Sequence, residues 1–229
     1  MGNRMVRWGV LFLSFGLGMG CATTGNYSKN SDNPSSPSRE IAQDPKTAEA
    51  PLEAPAESTD PFSDFDIPIV VNRDVEWFIH YFQTKNRPHF ERWLRRSSRY
   101  IPMMREILAE NGLPTDLTYL AMIESGFNNS ARSYRHAVGP WQFISATAKR
   151  YDLQIDWWLD ERRDPIKSTV AAARYLKELY GMFDSWFLAA AGYNAGEGKI
   201  KRAIQRYKTQ DFWEIKNGKY LKRETKQYI

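Results

Sequence analysis

Beyond Asp74 the apolar positions recur at the three-and-four spacing of amphipathic helices, and this pattern runs through almost all of the remaining chain. Asp74 can cap a helix carrying Val75, Phe78 and Phe82 on one face, and Pro88 opens another with Phe90, Trp93 and Leu94. Met103, Met104, Ile107 and Leu108 lead to a stop at Asn111-Gly112, and Pro114-Thr115 starts a helix that ends at Gly126. Pro140 is expected to open a helix with Trp141, Ile144, Ala148 and Tyr151. Asp164-Pro165 should begin the longest one, through Val170, Ala173 and Leu176 to Gly181. Asp184 reads as the cap of a helix over 186–192, and 197–207 forms a further helix with Ile200, Ala203 and Ile204 inward. No strand-like alternation and no internal repeat is present, so the fold class is all-α, globular rather than coiled-coil.

The first 66 residues follow different rules. Arg4 and Arg7 precede twelve largely apolar residues, Trp8 to Met19. That is short for a membrane span and suited to a secretory signal. The single cysteine, Cys21, follows Leu17-Gly18-Met19-Gly20 and cannot form an internal disulfide. A small residue before a Cys at the end of such a stretch resembles the lipobox of bacterial lipoproteins. There the Cys is lipidated and becomes the mature N-terminus, and Ala22 after it suggests the outer membrane. An ordinary secretory signal with an incidental Cys is the alternative. Residues 22–66 hold six of the twelve prolines and carry a net charge of −6. Such a segment buries too little to offset its ordering entropy and is expected to be a disordered tether. The overall +5 therefore hides a basic domain, 67–229, with a net charge of +9. Its 163 residues suffice for one domain with its own core.

One carboxylate breaks the pattern. Leu117, Leu120, Ala121 and Glu124 share a single helix face, so Glu124 lies on the apolar stripe just before Ser125-Gly126. Burial raises a carboxyl pKa, and a Glu held this way can act as a general acid near neutral pH. Periodicity alone also allows a helix-end Glu bridged to an Arg.

The neighbouring residues bear on that choice. Glu124-Ser125-Gly126-Phe127-Asn128, Gly139-Pro140-Trp141-Gln142, Gly192-Tyr193-Asn194-Ala195-Gly196 and Glu224-Thr225-Lys226-Gln227-Tyr228 occur in that order. They resemble the four motifs of the family 1 lytic murein transglycosylases, whose catalytic domain has the lysozyme-like fold. Trp141 before Gln142, and the stretch Asp160-Glu161-Arg162-Arg163-Asp164-Pro165, resemble the membrane-bound type D branch. The resemblance covers residues 95–229. It implies that Glu124 is the single catalytic acid/base and that Ser125 helps orient its carboxyl. It further implies that Ser133 and Gln142 contact substrate, that Tyr193 and Asn194 line the cleavage point, and that Tyr228 stands beside the catalytic Glu. Glu224 matches a fourth-motif Glu that is structural or glycan-binding. Arg135 stands where relatives often have a second substrate-contacting Ser, and Gly192 where Ala is common. Type D relatives often continue past the fourth motif into glycan-binding repeats, whereas this sequence ends at Ile229.

The implied substrate is peptidoglycan, cut between N-acetylmuramic acid and N-acetylglucosamine to leave 1,6-anhydro ends. No cofactor or metal is implied, and neither metal-ligand nor phosphate-loop spacing is present in the sequence. The expected partners are glycan strands and, through Cys21, a membrane, with no nucleic acid. The +9 charge suits a polymer whose peptides carry carboxylates, and equally serves solubility. Two rivals stand beside this reading. A hydrolytic muramidase would need a second carboxylate, for which Asp152, Asp156, Asp160 and Asp164 are candidates that read better as loop and cap residues. A non-catalytic wall-binding lipoprotein would grip glycan without cutting it. Trp157-Trp158 is either a sugar-stacking pair or a core or loop anchor, and His80, His89 and His136 are scattered. Arg92, Arg95, Arg96 and Arg99 read as a solvated helix face.

Overall fold

The computed structural model describes residues 65–229, so the signal-like segment, Cys21 and nearly all of the tether lie outside the described residues. The described part is helical, with isolated β-bridges in place of strands. In chain order the helices are α1 (Arg73–Gln83), α2 (Arg87–Glu110), α3 (Thr118–Ser125), α4 (Ser145–Arg150), α5 (Pro165–Phe183), α6 (Trp186–Ala195), α7 (Glu197–Tyr207), α8 (Phe212–Asn217) and α9 (Arg223–Lys226). Single 3-10 turns precede α3 (Thr115–Leu117) and α5 (Glu161–Arg163). Among the described residues no helix is long and apolar enough to cross a membrane.

The core centres on α5, which packs between α2 and α6. Ala171, Ala172, Ala173, Leu176 and Leu179 are all buried, and the small residues let neighbouring backbones approach closely. Gly192 on α6 sits in the same contact, where an added Cβ would lie 3.1 Å from both Leu179 and Phe183. That spacing is tight for Ala but not closed to it. At the other edge, Asp66 and Asp116 clamp the start of the domain. Asp116 Oδ2 accepts from the backbone N–H groups of Asp66 and Ile67, while Asp66 Oδ2 accepts from Thr115 N–H and its hydroxyl.

Several boundaries differ from the sequence expectations. Asn72, not Asp74, caps α1, its Oδ1 accepting from Asp74 and Val75 N–H, so Asp74 falls in the first turn. The longest helix is α2, with 24 residues, which runs through Pro102 and joins two expected pieces. Leu94, expected inward on it, is exposed. No helix opens at Pro140. Gln142 adopts a φ of 50°, and Val138 and Phe143 exchange N–H···O=C bonds as a tight hairpin, so α4 cannot begin before Ser145. Asp184 takes the left-handed conformation that ends α5, and Ser185 caps α6 through Leu188 N–H. Helices α8 and α9 are too short to leave a periodic signal.

The irregular stretch between α3 and α4 is held by Arg162. This buried side chain forms a two-point ion pair with Asp160, at 2.8 Å for each contact. Its Nη1 donates to the carbonyls of His136 and Phe143, both at 3.1 Å. Gly139 makes that approach possible: its φ is +86°, and a Cβ would lie 1.7 Å from the Arg162 carbonyl oxygen.

Candidate active site

The 3-10 turn before α3 sends Leu117 into the core, α3 adds Leu120 and Ala121, and Glu124 continues that face as a half-buried residue. The helix stops at Gly126 in the left-handed conformation, with φ 60° and ψ 40°. Gly126 N–H bonds Met122 C=O and Phe127 N–H bonds Ala121 C=O, which closes the helix end. Only glycine fits, because a Cβ there would lie 2.1 Å from the Trp93 ring. Arg96 donates to the Gly126 carbonyl at 3.3 Å, so one member of the expected solvated arginine face fastens this turn.

The Glu124 carboxyl accepts a 2.6 Å hydrogen bond from the Tyr228 hydroxyl; its partner is a tyrosine rather than an arginine. Burial of the carboxyl pushes its pKa up to about 7. The Tyr228 hydrogen bond favours the ionised form and works against burial, whereas the negative charge of Glu224 adds to it. Burial wins. Near neutral pH this group exists in both protonation states, as a residue that first gives and then takes a proton requires.

The other expected site residues form the frame around it. Tyr193 donates from its hydroxyl to the Trp141 carbonyl at 2.8 Å and packs against the Trp141, Phe143 and Tyr175 rings. Burial and the nearby Glu124 charge hold the Tyr193 and Tyr228 hydroxyls well above the ordinary tyrosine pKa, so both remain neutral donors. Ser125 turns its hydroxyl to the Pro140 carbonyl at 2.9 Å and accepts from Asn128 N–H at 3.0 Å. It thus ties the end of α3 to the second motif instead of bonding the carboxyl directly. Ser133 Oγ accepts from Ala137 N–H and closes the 133–137 turn, and Gln142 donates its amide to Gly139 C=O at 2.9 Å. Asn194 accepts from the buried Thr225 hydroxyl at 3.0 Å, which docks α9 on α6 and brings Tyr228 to Glu124. Glu224 is exposed on α9 and reaches Glu124 through its field.

The four aspartates are engaged elsewhere. Asp164 caps α5, Asp160 pairs with Arg162, Asp156 accepts backbone N–H bonds from Trp158 and Leu159, and Asp152 pairs with Arg174. Among the described residues no group of three or more His, Cys, Asp or Glu could hold a metal ion. His136 is exposed, and its ring pairs with Arg132. Trp157 and Trp158 are not core anchors, being 90% and 82% exposed. The residues that sequence reasoning missed are the positioning ones: Arg162, Trp93, Arg96 and Thr225. Arg162 lies inside the Asp160–Pro165 stretch singled out above, but its long reach to 136 and 143 leaves no local signal.

The helical domain is similar to known proteins. The family model of the transglycosylase SLT domain matches residues 103–216. The membrane-bound lytic murein transglycosylase D of Escherichia coli K12 is 35% identical over 150 residues, which is 63% of this chain and 32% of that protein. A protein of Alteromonas sp. named for tributyltin chloride resistance is 41% identical over 122 residues, covering 52% of this chain and 58% of its own. Among solved structures, a lytic transglycosylase from Pseudomonas aeruginosa, an inactive mutant, is similar over 61% of this chain and 22% of its own, at 21% identity and a TM-score of 0.44. The chain thus spans about a third of the length of the E. coli relative. The SLT match runs from within α2 to within α8 and encloses Glu124, so residues 103–216 form a transglycosylase SLT domain.

Proposed function

We propose that this protein cleaves the bond between N-acetylmuramic acid and N-acetylglucosamine in peptidoglycan, without water, leaving 1,6-anhydro-muramic ends. The observation that carries the proposal is the Glu124 carboxyl with its pKa near 7, hydrogen-bonded by Tyr228 inside the matched domain. In its acid form Glu124 gives its proton to the glycosidic oxygen as the bond from the muramic anomeric carbon breaks. The resulting carboxylate, steadied by Tyr228, takes the proton of the muramic 6-hydroxyl as that oxygen bonds to the anomeric carbon. One residue completes both transfers, and an intramolecular nucleophile needs no second carboxylate to activate water. The engagement of the four aspartates in caps and ion pairs supports this reading over hydrolysis. Tyr193, Asn194, Gln142, Ser133 and Glu224 are assigned to substrate binding, and Ser125 to fixing the position of α3 against the second motif.

The setting proposed is the cell envelope. The E. coli relative is described as membrane-bound, and Cys21 after its apolar stretch supplies an attachment point for lipid. We assign 1–21 as a lipoprotein-type signal, 22–66 as the tether and 67–229 as the domain that works on cell-wall glycan, facing the periplasm from the outer membrane. Mass spectrometry of muropeptides released by the purified protein tests the chemistry. Anhydro ends are expected, and products carrying one added water would establish the muramidase instead.

A further inference from the structure

The exposed tryptophans are built, not loose. Ile155 and Asp160 form an antiparallel bridge, and Asp156 N–H bonds the Leu159 carbonyl at 2.8 Å, so 155–160 is a tight hairpin with both indoles at its tip. The Asp156 carboxylate fills the inside of the turn: Oδ1 accepts from Trp158 and Leu159 N–H at 2.8 and 2.7 Å, and Oδ2 from the Gln154 amide at 2.7 Å. The indole centroids lie 5.3 Å apart at 63°. Two indoles at 90% and 82% exposure sacrifice the burial that usually stabilises such rings, on the order of 150–250 Å² each. The turn chemistry holds them there, so an occupant meets rings already ordered.

The hairpin is also coupled to the proposed substrate-binding segment. Asp160 at its base pairs with Arg162, and Arg162 donates to the carbonyls of His136 and Phe143, which bracket the turn bearing Gln142. Local charge bears on which apolar occupant fits. Across 154–167 four acids face three bases, and Arg162 and Lys167 are engaged with Asp160 and Glu161. An anionic lipid surface gains nothing from such a patch, whereas the C–H faces of pyranose rings stack on indoles without needing charge. We propose that Trp157 and Trp158 form a sugar-stacking subsite that grips the peptidoglycan glycan strand at the tip of this hairpin.

This rests on the substrate proposed above, so the test reads binding separately from cleavage. The full chain carrying Glu124→Gln is compared with the same chain carrying Trp157→Ala and Trp158→Ala as well, in binding to purified sacculi and to vesicles of phosphatidylglycerol and phosphatidylethanolamine. The rings are exposed, so an unchanged thermal midpoint is expected and confirms folding. The expected result is about tenfold weaker sacculus binding, equivalent to about 1.4 kcal/mol, with vesicle association unchanged. Unchanged sacculus affinity overturns the subsite. So does a loss confined to vesicles, which would make the hairpin a bilayer contact, or an equal loss on both, which would make it an unselective apolar surface. If the chain with Glu124 intact cuts no peptidoglycan while tryptophan-dependent sacculus binding persists, the proposed activity fails and the subsite stands.

Discussion

Tyr228 donates its hydroxyl to Glu124 Oε1 at 2.6 Å, joining residues 104 positions apart in the chain. Burial and this bond act on the Glu124 proton in opposite senses. Burial favours the neutral acid, the Tyr228 hydrogen bond favours the carboxylate, and the balance leaves Glu124 near pH 7. A group poised there loses little in either direction of transfer.

The pH profile follows from that balance. In the proposed reaction cleavage starts from protonated Glu124, so kcat/KM is expected to fall as pH rises through about 7. Tyr228→Phe removes the bond that favours ionisation. Glu124 then holds its proton longer, and the alkaline limb should move up by on the order of one pH unit, since a hydrogen bond to a charged group is worth about 1.5–3 kcal/mol. Rates of muropeptide release between pH 5 and 9 check this, and a limb moving to lower pH refutes the assigned direction.

Glu124→Gln should reduce lysis by a factor of about 10³ or more, with sacculus binding retained, because the amide supplies no proton. It should also stabilise the fold in a pH-dependent way. The folded-state pKa is raised from 4.5 to about 7, so between those values the folded chain keeps a proton that the unfolded chain has released. Stability conferred by that proton is present at low pH and lost as pH rises through the window, a deficit of roughly 3 kcal/mol at pH 8. The variant lacks the deficit. Its thermal midpoint should exceed that of the unsubstituted protein by several degrees at pH 8 and match it near pH 4.5, as calorimetry at the two pH values would register.

Much of the fold was legible because burial imposes a period. The stripe of Leu117, Leu120 and Ala121 located α3 and exposed Glu124 as out of place. The stop at Gly126 was readable too, since a left-handed helix end favours glycine. The failures cluster where tertiary bonds override local pattern. Pro140 resembles a helix start, yet Gly139, Gln142 and Arg162 impose a hairpin there. Trp157-Trp158 reads equally as a sugar-stacking pair or as a core or loop anchor, and only the Asp156 turn sets the rings outward. The Tyr228–Glu124 bond came from the motif resemblance and not from periodicity, because no local pattern reports a contact across 104 residues.

Two glycines separate backbone conformation from packing. Gly112 has φ +69° with nothing within 4 Å of an added Cβ, so Gly112→Ala should cost only about 1–2 kcal/mol for the left-handed conformation. At Gly139 the Cβ would lie 1.7 Å from the Arg162 backbone oxygen, which cannot move aside as a flexible side chain could. Gly139→Ala is expected to cost roughly 3–5 kcal/mol. Urea unfolding of the two variants side by side measures the difference, and equal losses would show that the contact at Gly139 relaxes.

Arg162 makes the sharpest demand on side-chain shape. Its planar fork meets both Asp160 oxygens and still reaches two backbone carbonyls, which a lysine ammonium cannot reproduce. Arg162→Lys keeps the charge but leaves buried acceptors without donors, and should cost roughly 2–4 kcal/mol. A double-mutant cycle with Asp160→Asn should return a coupling above about 1 kcal/mol, because the two side chains share one partly buried bidentate contact. If the turn bearing Gln142 depends on this residue, then the surviving folded fraction of Arg162→Lys should show a raised KM for glycan strands and a smaller change in kcat. A fall in kcat alone would instead link Arg162 to the chemistry at Glu124.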